Sequence, residues 1–121
     1  MKKFITLILL FFTLTINAQK VIHTEKGNWT ATYYGKHYKK LRHTANGDIF
    51  NVKGMTCAAP KKFKFGTKLK ITNLENNKSV IVKVNDRGGF GNYVIDLTYY
   101  AFKKIECHKK GRIKVKVQIV K

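Results

Sequence analysis

Acidic residues are scarce in this chain of 121 residues, which has 6 Asp and Glu against 25 Lys and Arg and a formal net charge of +19. The six carboxylates leave few candidates for acid–base chemistry. A single proline excludes a proline-rich linker, and a hydrophobic fraction of 44% with 26% charged residues excludes a disordered tail or a coiled coil. There is no Gly-rich phosphate loop and no sustained Rossmann pattern, which argues against a nucleotide-dependent enzyme.

No apolar run is long enough for a comfortable transmembrane helix, which needs roughly 20 residues. The longest run, residues 4–16, follows Lys2 and Lys3 and ends near a small residue. This order is typical of a secretory signal peptide. We therefore predict a leader over 1–18 and an exported domain over 19–121, in the periplasm, cell envelope or extracellular space. After cleavage no stable membrane insertion is expected. The alternative is an uncleaved membrane anchor.

Only two cysteines are present, Cys57 and Cys107. An even number of cysteines in an oxidising compartment favours a disulfide. Such a bridge would close a loop of about 50 residues and add roughly 4 kcal/mol of stability in the loop-entropy model. The alternative is two separate free thiols, because sequence spacing does not show whether the two Cβ atoms meet.

Polar and apolar residues alternate along most of the remaining chain. Residues 68–72, 79–84 and 112–119 each alternate with period two, and residues 29–34 are rich in β-prone types. Each segment is predicted to be a strand. Asn76-Asn77 lies between two of them and is predicted to be the turn of a hairpin.

One segment follows a helical pattern instead. Ala101, Phe102 and Ile105 are spaced as on one helix face, and Asp96 and Thr98 are residue types that cap helix N-termini. We predict a short helix over residues 99–106, with Asp96 helping to start it. The chain is therefore predicted to be a small, mostly β barrel or sandwich with one or two short helices.

The positive charge comes almost entirely from lysine, with 22 Lys and 3 Arg. Base recognition and bidentate phosphate recognition favour arginine, so nucleic acid is not the expected partner. For an exported protein, an anionic polymer of the cell envelope is the more natural ligand. The alternative is that scattered lysines only keep the surface soluble.

Asp86 is the most unusual carboxylate. Val80, Val82 and Val84 define the inward face of a strand, and period two places Asp86 next on that face, before a glycine-rich stretch. It is either a general acid or an aspartate that pins a loop, and the residues leave both open. Asp48 follows an Asn-Gly turn and is either a turn acceptor or a site residue. No histidines have metal-ligand spacing, so no metal or other cofactor is expected.

Five blocks of the sequence together resemble the RlpA-like family (rare lipoprotein A) of endolytic peptidoglycan lytic transglycosylases. They are TYYG at 32–35, TANGD at 44–48, FGTKLKITN at 65–73, VKVNDRG at 82–88 and IDL at 95–97. The resemblance runs from about Trp29 to Val120. It implies a six-stranded double-psi β-barrel, a fold that expansins share.

The resemblance also implies an activity: cleavage of the MurNAc–GlcNAc bond of peptidoglycan without water, giving 1,6-anhydro ends. The family's acid/base carboxylate falls on Asp86, and a second acidic position falls on Asp48. The same blocks place four residues in the glycan-binding groove: Tyr34, Thr44, Asn85 and Arg87.

Two positions depart from the family pattern. Counting back from residues 65–67, Pro60 occupies the place where the family often has a histidine, and Gly89 the place where it usually has a proline. Because proline cannot hydrogen-bond a sugar or orient a carboxylate, the alternative function is a non-catalytic, expansin-like module that binds or loosens the wall.

Overall fold

The structure is a computed structural model that describes residues 19–88 and 91–121. The predicted leader over 1–18 and the departure at Gly89 lie outside the described residues. The described strands are β1 (Val21–Thr24), β2 (Trp29–Tyr34), β3 (Thr56–Ala58), β4 (Lys68–Asn73), β5 (Ser79–Asp86), β6 (Val94–Thr98) and β7 (Ile113–Val120). Helix α1 (Tyr99–Lys103) and a 3-10 helix (His108–Lys110) lie between β6 and β7.

Six of the strands form a closed barrel in the order β7-β2-β6-β3-β5-β4, and β4 pairs with β7 to close it. The pairs β2–β6 and β3–β5 are parallel, and the other pairs are antiparallel. β1 lies outside this ring and pairs with the end of β7. The mostly β, six-stranded barrel expected from the sequence is confirmed.

The alternating patterns mark the barrel interior. In β7, Ile113, Val115 and Val117 are buried, while Lys114 and Lys116 are exposed. β4 and β5 form the predicted antiparallel hairpin, and Asn77 adopts a left-handed backbone conformation in its turn, with φ of 62°. Burial of one face of the alternating strands therefore fixes their register in the barrel.

The helix is shorter than predicted, and of the two candidate cap residues Thr98 is the one that caps it. It covers Tyr99–Lys103, and the Thr98 hydroxyl accepts a hydrogen bond of 3.2 Å from the Ala101 amide. Thr98 is thus the N-cap, and Asp96 lies inside β6, two residues earlier. Within the described ranges, no helix is long and apolar enough to span a membrane.

The structure contradicts the predicted disulfide. Cys57 and Cys107 are both free thiols. Cys57 is fully buried in β3, where it pairs with residues of β5 and β6, and burial raises the pKa of its thiol well above the ordinary value. Cys107 is exposed, immediately before the 3-10 helix. An oxidising compartment favours a bridge, but the barrel keeps one sulfur in its core and the other at its surface.

Candidate active site

The carboxylate of Asp86 is held by three hydrogen-bond donors. The Tyr34 hydroxyl donates to Oδ2 at 3.0 Å, and the backbone amides of Ala45 and Arg87 each donate to Oδ1 at 2.9 Å. Asp86 ends strand β5 and is half-buried. These donors come from the Tyr34 side chain, from the loop that holds Ala45 and from the residue that follows β5. Together they fix the Asp86 carboxylate at the surface of the barrel.

A β-bulge sets the direction of Asp86. Cys57 pairs with Val84, and the next residue of β3, Ala58, pairs with Asp86. Asn85 is therefore an extra residue in β5 that has no pairing partner in β3. Val84 and Asn85 are both buried as a result. Asp86 is therefore not the next inward residue of the strand, as period two predicted. A bulge re-aims the side chains that follow it, and here the carboxylate lies beside Tyr34.

The loop over residues 44–48 is folded against this end of β5. The Asn46 amide donates to the Asn85 carbonyl at 3.2 Å, and Gly47 has a φ of 94°, which favours glycine. Asp48 is exposed, and its Oδ2 accepts from the amide groups of Asn46 at 3.2 Å and Asn85 at 3.3 Å. The two carboxylates proposed from the sequence, Asp48 and Asp86, thus lie on one rim, joined by this loop.

The side chains of Thr44 and Asn85 form hydrogen bonds with residues of this loop and do not face an open groove. Thr44 is buried, and its hydroxyl donates to Asn46 Oδ1 at 2.6 Å. Asn85 is also buried, and its Oδ1 has no hydrogen-bond partner. Of the four substrate-binding residues expected from the resemblance, only Tyr34 and Arg87 remain partly accessible in the structure.

Asp96 is a buried carboxyl near Asp86, and it does not start the helix as predicted. It is 5% exposed, lies between the core residues Ile95 and Leu97, and accepts a hydrogen bond from the Thr32 hydroxyl. Burial raises its pKa from 3.8 to about 6; Arg112 opposes this rise, and the nearby charge of Asp86 adds to it. A carboxyl that titrates near neutrality beside another is typical of a catalytic site.

Gly88 lies directly beside the carboxylate of Asp96, where a larger residue would not fit. A Cβ built on Gly88 would lie 2.8 Å from Oδ2 of Asp96, closer than real side chains approach. The backbone after Asp86 can therefore pass directly over the second carboxyl only because residue 88 has no side chain. Within the described ranges, no group of three or more His, Cys, Asp or Glu residues is arranged to hold a metal ion.

Aromatic side chains cover one side of Asp86. The Tyr34 ring packs against Phe50 at 5.1 Å and Tyr38 at 6.4 Å between centroids, and Tyr38 is 42% exposed. The Arg42 guanidinium lies over the Tyr38 ring at 4.3 Å. Burial, with the negative charge and hydrogen bonding of Asp86, raises the pKa of Tyr34 far above its ordinary value, so its hydroxyl stays a donor.

Arg87 follows Asp86 directly and makes a separate set of contacts. The guanidinium of Arg87 stacks on the Phe65 ring at 4.0 Å and donates to the Ala59 carbonyl at 3.3 Å. Arg87 also lines a cavity of about 320 Å³ together with Pro60. The position where the family often has a histidine is therefore beside the candidate site, although proline offers no donor there.

This arrangement suits a polar polymer with flat apolar faces. The rings of Tyr38 and Phe65 are partly exposed, each with an arginine guanidinium over it, and the polar groups of Asp86 and Arg87 belong to the same end of β5. Aromatic walls with a few fixed polar groups are the usual composition of ligand sites. A carboxyl held by neutral donors can exchange a proton with a bound hydroxyl or glycosidic oxygen.

A sequence profile of the lytic transglycolase family matches residues 26–117, which include every strand of the closed barrel except the last residues of β7. The chain belongs to the lytic transglycolase family. Its barrel is the double-psi β-barrel that the resemblance implied, and the five sequence blocks lie within the matched range.

The chain is similar to a probable endolytic peptidoglycan transglycosylase RlpA from Synechocystis sp.. The two are 43% identical over 107 residues, which cover 88% of this chain and 32% of the relative. The chain thus spans about a third of the length of that relative.

Solved structures share the fold at low sequence identity. The Streptomyces papain inhibitor has a TM-score of 0.66 at 17% identity, covering 84% of this chain and 97% of the inhibitor. A mutant expansin from Clavibacter michiganensis, in complex with cellohexaose, has a TM-score of 0.63 at 20% identity, covering 78% of this chain and 50% of the expansin. These similarities show that the lytic transglycolase barrel is a scaffold that proteins of different function share.

Proposed function

We propose that the protein is an exported lytic transglycosylase that cleaves the MurNAc–GlcNAc bond of peptidoglycan and leaves a 1,6-anhydro end on MurNAc. The observation that supports this most is the setting of Asp86. Its half-buried carboxyl is held by Tyr34 and two backbone amides, and the Tyr34 ring packs against Tyr38, which is exposed. The membership in the lytic transglycolase family supports the same reaction class.

In the proposed reaction Asp86 acts first as general acid. It gives its proton to the glycosidic oxygen, the bond from that oxygen to the anomeric carbon of MurNAc breaks, and GlcNAc leaves with a free hydroxyl. Asp86 then acts as base. It takes the proton of the MurNAc C6 hydroxyl as that oxygen bonds to the anomeric carbon. Asp86 ends protonated as it began, and no water is consumed.

Two other carboxyls support Asp86 in this proposal. Asp48, exposed on the 44–48 loop, provides negative charge for the oxocarbenium-like transition state. Asp96 lies behind Asp86, and its pKa of about 6 leaves it partly neutral under mildly acidic conditions. A neutral Asp96 puts no second negative charge beside Asp86. We assign Asp96 as a positioning residue, because it is buried beneath Gly88.

The ligand of the groove in this proposal is a glycan strand. The Tyr38 and Phe65 rings, each 42% exposed, would stack on sugar faces on the two sides of the scissile bond. The formal charge is +19 for the whole chain and two less without the predicted leader, which holds Lys2 and Lys3, and it would draw the protein to the anionic wall, in the periplasm or the wider cell envelope.

An expansin-like module that only binds or loosens glycan remains the second candidate, and Pro60 is the observation that favours it. Incubation of the purified exported chain with peptidoglycan, followed by mass spectrometry of the soluble products, separates the two. Anhydro-muropeptides support the lyase, whereas binding without them supports the module. In the second case, Pro60→His tests whether the residue frequent in the family restores cleavage.

A further inference from the structure

A hairpin over residues 41–50, whose turn is the 44–48 loop, exposes two aliphatic side chains. Leu41 is 72% exposed and Ile49 is 61% exposed, the two highest values among the large hydrophobic residues in the described part of the chain. We call these two side chains the apolar pair. Single exposed apolar residues are common on protein surfaces, whereas a group of them marks a contact with a partner.

The backbone pairing of this hairpin places the apolar pair on the face that points away from the barrel. His43 pairs with Ile49 in an antiparallel bridge, and both residues are exposed. Because side chains alternate between the two faces of paired chains, Leu41 lies on the same face as this bridge. The opposite face carries Phe50, whose ring packs against Tyr34 at 5.1 Å between centroids. The hairpin therefore presents one face to the candidate active site and the apolar pair to the solvent.

Positive charge surrounds the apolar pair. Lys39, Lys40 and Arg42 are all exposed, and no ion pair within the described ranges uses any of them. The hairpin has one acidic residue, Asp48, whose carboxylate accepts hydrogen bonds from two asparagine side chains. The surface thus combines exposed aliphatic groups with cations that the protein itself does not neutralise.

Three kinds of partner could cover such a surface, and one matches both of its components. A second copy of the chain would bring the same cations into contact, and like charges oppose that association. A glycan strand requires flat ring surfaces with polar partners, which an aliphatic pair does not provide. The surface of an anionic membrane offers phosphate groups to the lysines and an apolar boundary to the aliphatic side chains.

We propose that this hairpin is a peripheral docking surface for a membrane that carries anionic phospholipids. The apolar pair enters the boundary between the headgroups and the acyl chains, while Lys39 and Lys40 contact headgroup phosphates. The attachment is shallow and reversible, because two aliphatic side chains bury little area. Since Phe50 and Tyr34 lie on the other face of the hairpin, docking leaves the rim that carries Asp86 free to bind its own ligand.

The first test removes the apolar pair and measures binding to lipid vesicles. The exported chain is co-sedimented with vesicles of phosphatidylcholine alone, or of phosphatidylcholine and phosphatidylglycerol in equal parts. The apolar variant is Leu41→Ser with Ile49→Ser. Its matched control is Ile22→Ser with Leu74→Ser, which removes aliphatic side chains that are 58% and 55% exposed on other segments. Thermal melting verifies that every variant is folded.

A second pair of variants tests the charge with the same vesicles. Lys39→Gln with Lys40→Gln removes two cations beside the apolar pair. Lys68→Gln with Lys116→Gln removes two exposed lysines of β4 and β7 and serves as the control. Each pair of variants therefore compares the hairpin with another part of the surface at equal change in composition.

Wild type should bind the vesicles that contain phosphatidylglycerol and leave those of phosphatidylcholine largely free. The apolar variant should bind about tenfold more weakly than its control, the size expected for partial burial of two aliphatic side chains. The Lys39 and Lys40 variant should bind at least about tenfold more weakly than the lysine control, because each lysine near an anionic surface contributes strongly to binding.

Equal binding of the apolar variant and its control would overturn the docking surface, because net charge alone would then explain the binding. Failure of wild type to bind vesicles with phosphatidylglycerol would overturn it too. A wild-type dimer in size-exclusion chromatography that the apolar variant abolishes would assign this face to a second copy instead. The assay contains no glycan, so its result does not depend on the proposed lyase activity.

Discussion

The hydroxyl of Tyr34 donates a hydrogen bond of 3.0 Å to Oδ2 of Asp86, which lies 52 residues further along the chain. The Tyr34 ring is separately held by its packing against Phe50 and Tyr38. The hydroxyl can therefore be removed without removing the ring.

Tyr34→Phe should fold normally and lose most of its turnover. One of three donors to Asp86 disappears, and a side-chain hydrogen bond contributes about 0.5–1.5 kcal/mol, which corresponds to a fall in kcat of roughly tenfold at the upper end. KM should change little, because the ring remains. Tyr38→Phe is the matched control, since the structure gives its hydroxyl no bond to Asp86. Steady-state release of soluble muropeptides measures both variants, and equal rates for the two would contradict the positioning role of the Tyr34 hydroxyl.

The pH dependence of stability should change in Asp96→Asn. Burial raises the pKa of Asp96 to about 6, above its unfolded value near 3.8, so the folded state binds more protons than the unfolded state between these values. The stabilisation that the Asp96 carboxyl gives the wild-type protein is fully present below about pH 4 and is lost as the pH rises through about 6. Asn cannot titrate and can still accept from Thr32. The Tm of the variant should therefore rise relative to wild type from pH 4 to pH 7, whereas parallel curves would show that Asp96 is not desolvated.

Gly88→Ala should destabilise the protein by about 1–3 kcal/mol, the usual cost of an overpacked site. The new Cβ would lie 2.8 Å from Oδ2 of Asp96, so the loop or the carboxyl must move. Urea denaturation measures the free energy of unfolding. The control is the double variant Gly88→Ala with Asp96→Ala. It should be more stable than the sum of the two single effects predicts, because the second change removes the atom that the first one contacts. Strict additivity would argue that the two residues do not meet.

The two thiols should react differently. In the folded protein, iodoacetamide should label exposed Cys107 and spare Cys57, which is fully buried and has a raised thiol pKa. In denaturant without reductant, both should be labelled. Mass spectrometry of the intact chain counts the labels. If reductant is needed before any label appears in denaturant, the cysteines are bridged and the geometry described above is wrong.

The strands could be predicted because their signal is local. Residues 79–84 alternate with period two, and the structure extends this strand only to Asp86. The turn at Asn76-Asn77 lies between two such runs and forms the expected hairpin. Alternation reflects one buried face, which each segment carries in its own sequence.

The site could be predicted only in part, because its geometry depends on distant partners. The bulge at Asn85 is defined by pairing with β3, almost thirty positions earlier, so period two misjudged the side on which Asp86 lies. Asp96 suited a helix cap by type, but its partner Thr32 is 64 residues away. One local sign was available: Asp96 alternates with Ile95 and Leu97, which indicates a strand residue on the face opposite to theirs and not a helix cap. The family blocks named Asp86 and Asp48, which the 44–48 loop joins on one rim, whereas the block at 95–97 contains Asp96 without giving it a role in the site.

The substitution Asp86→Asn tests the central claim most directly. The measurement is the yield of 1,6-anhydro-muropeptides, by mass spectrometry, from sacculi incubated with wild type or variant at equal amounts of folded protein. Asn keeps the side chain's shape and can still accept hydrogen bonds, but it cannot carry the proton that the reaction needs. Because general acid–base catalysis typically contributes about 10²–10⁴-fold, the variant should bind sacculi normally and lose the anhydro products by at least about a hundredfold. Wild-type yield from a fully folded Asp86→Asn protein would contradict the account.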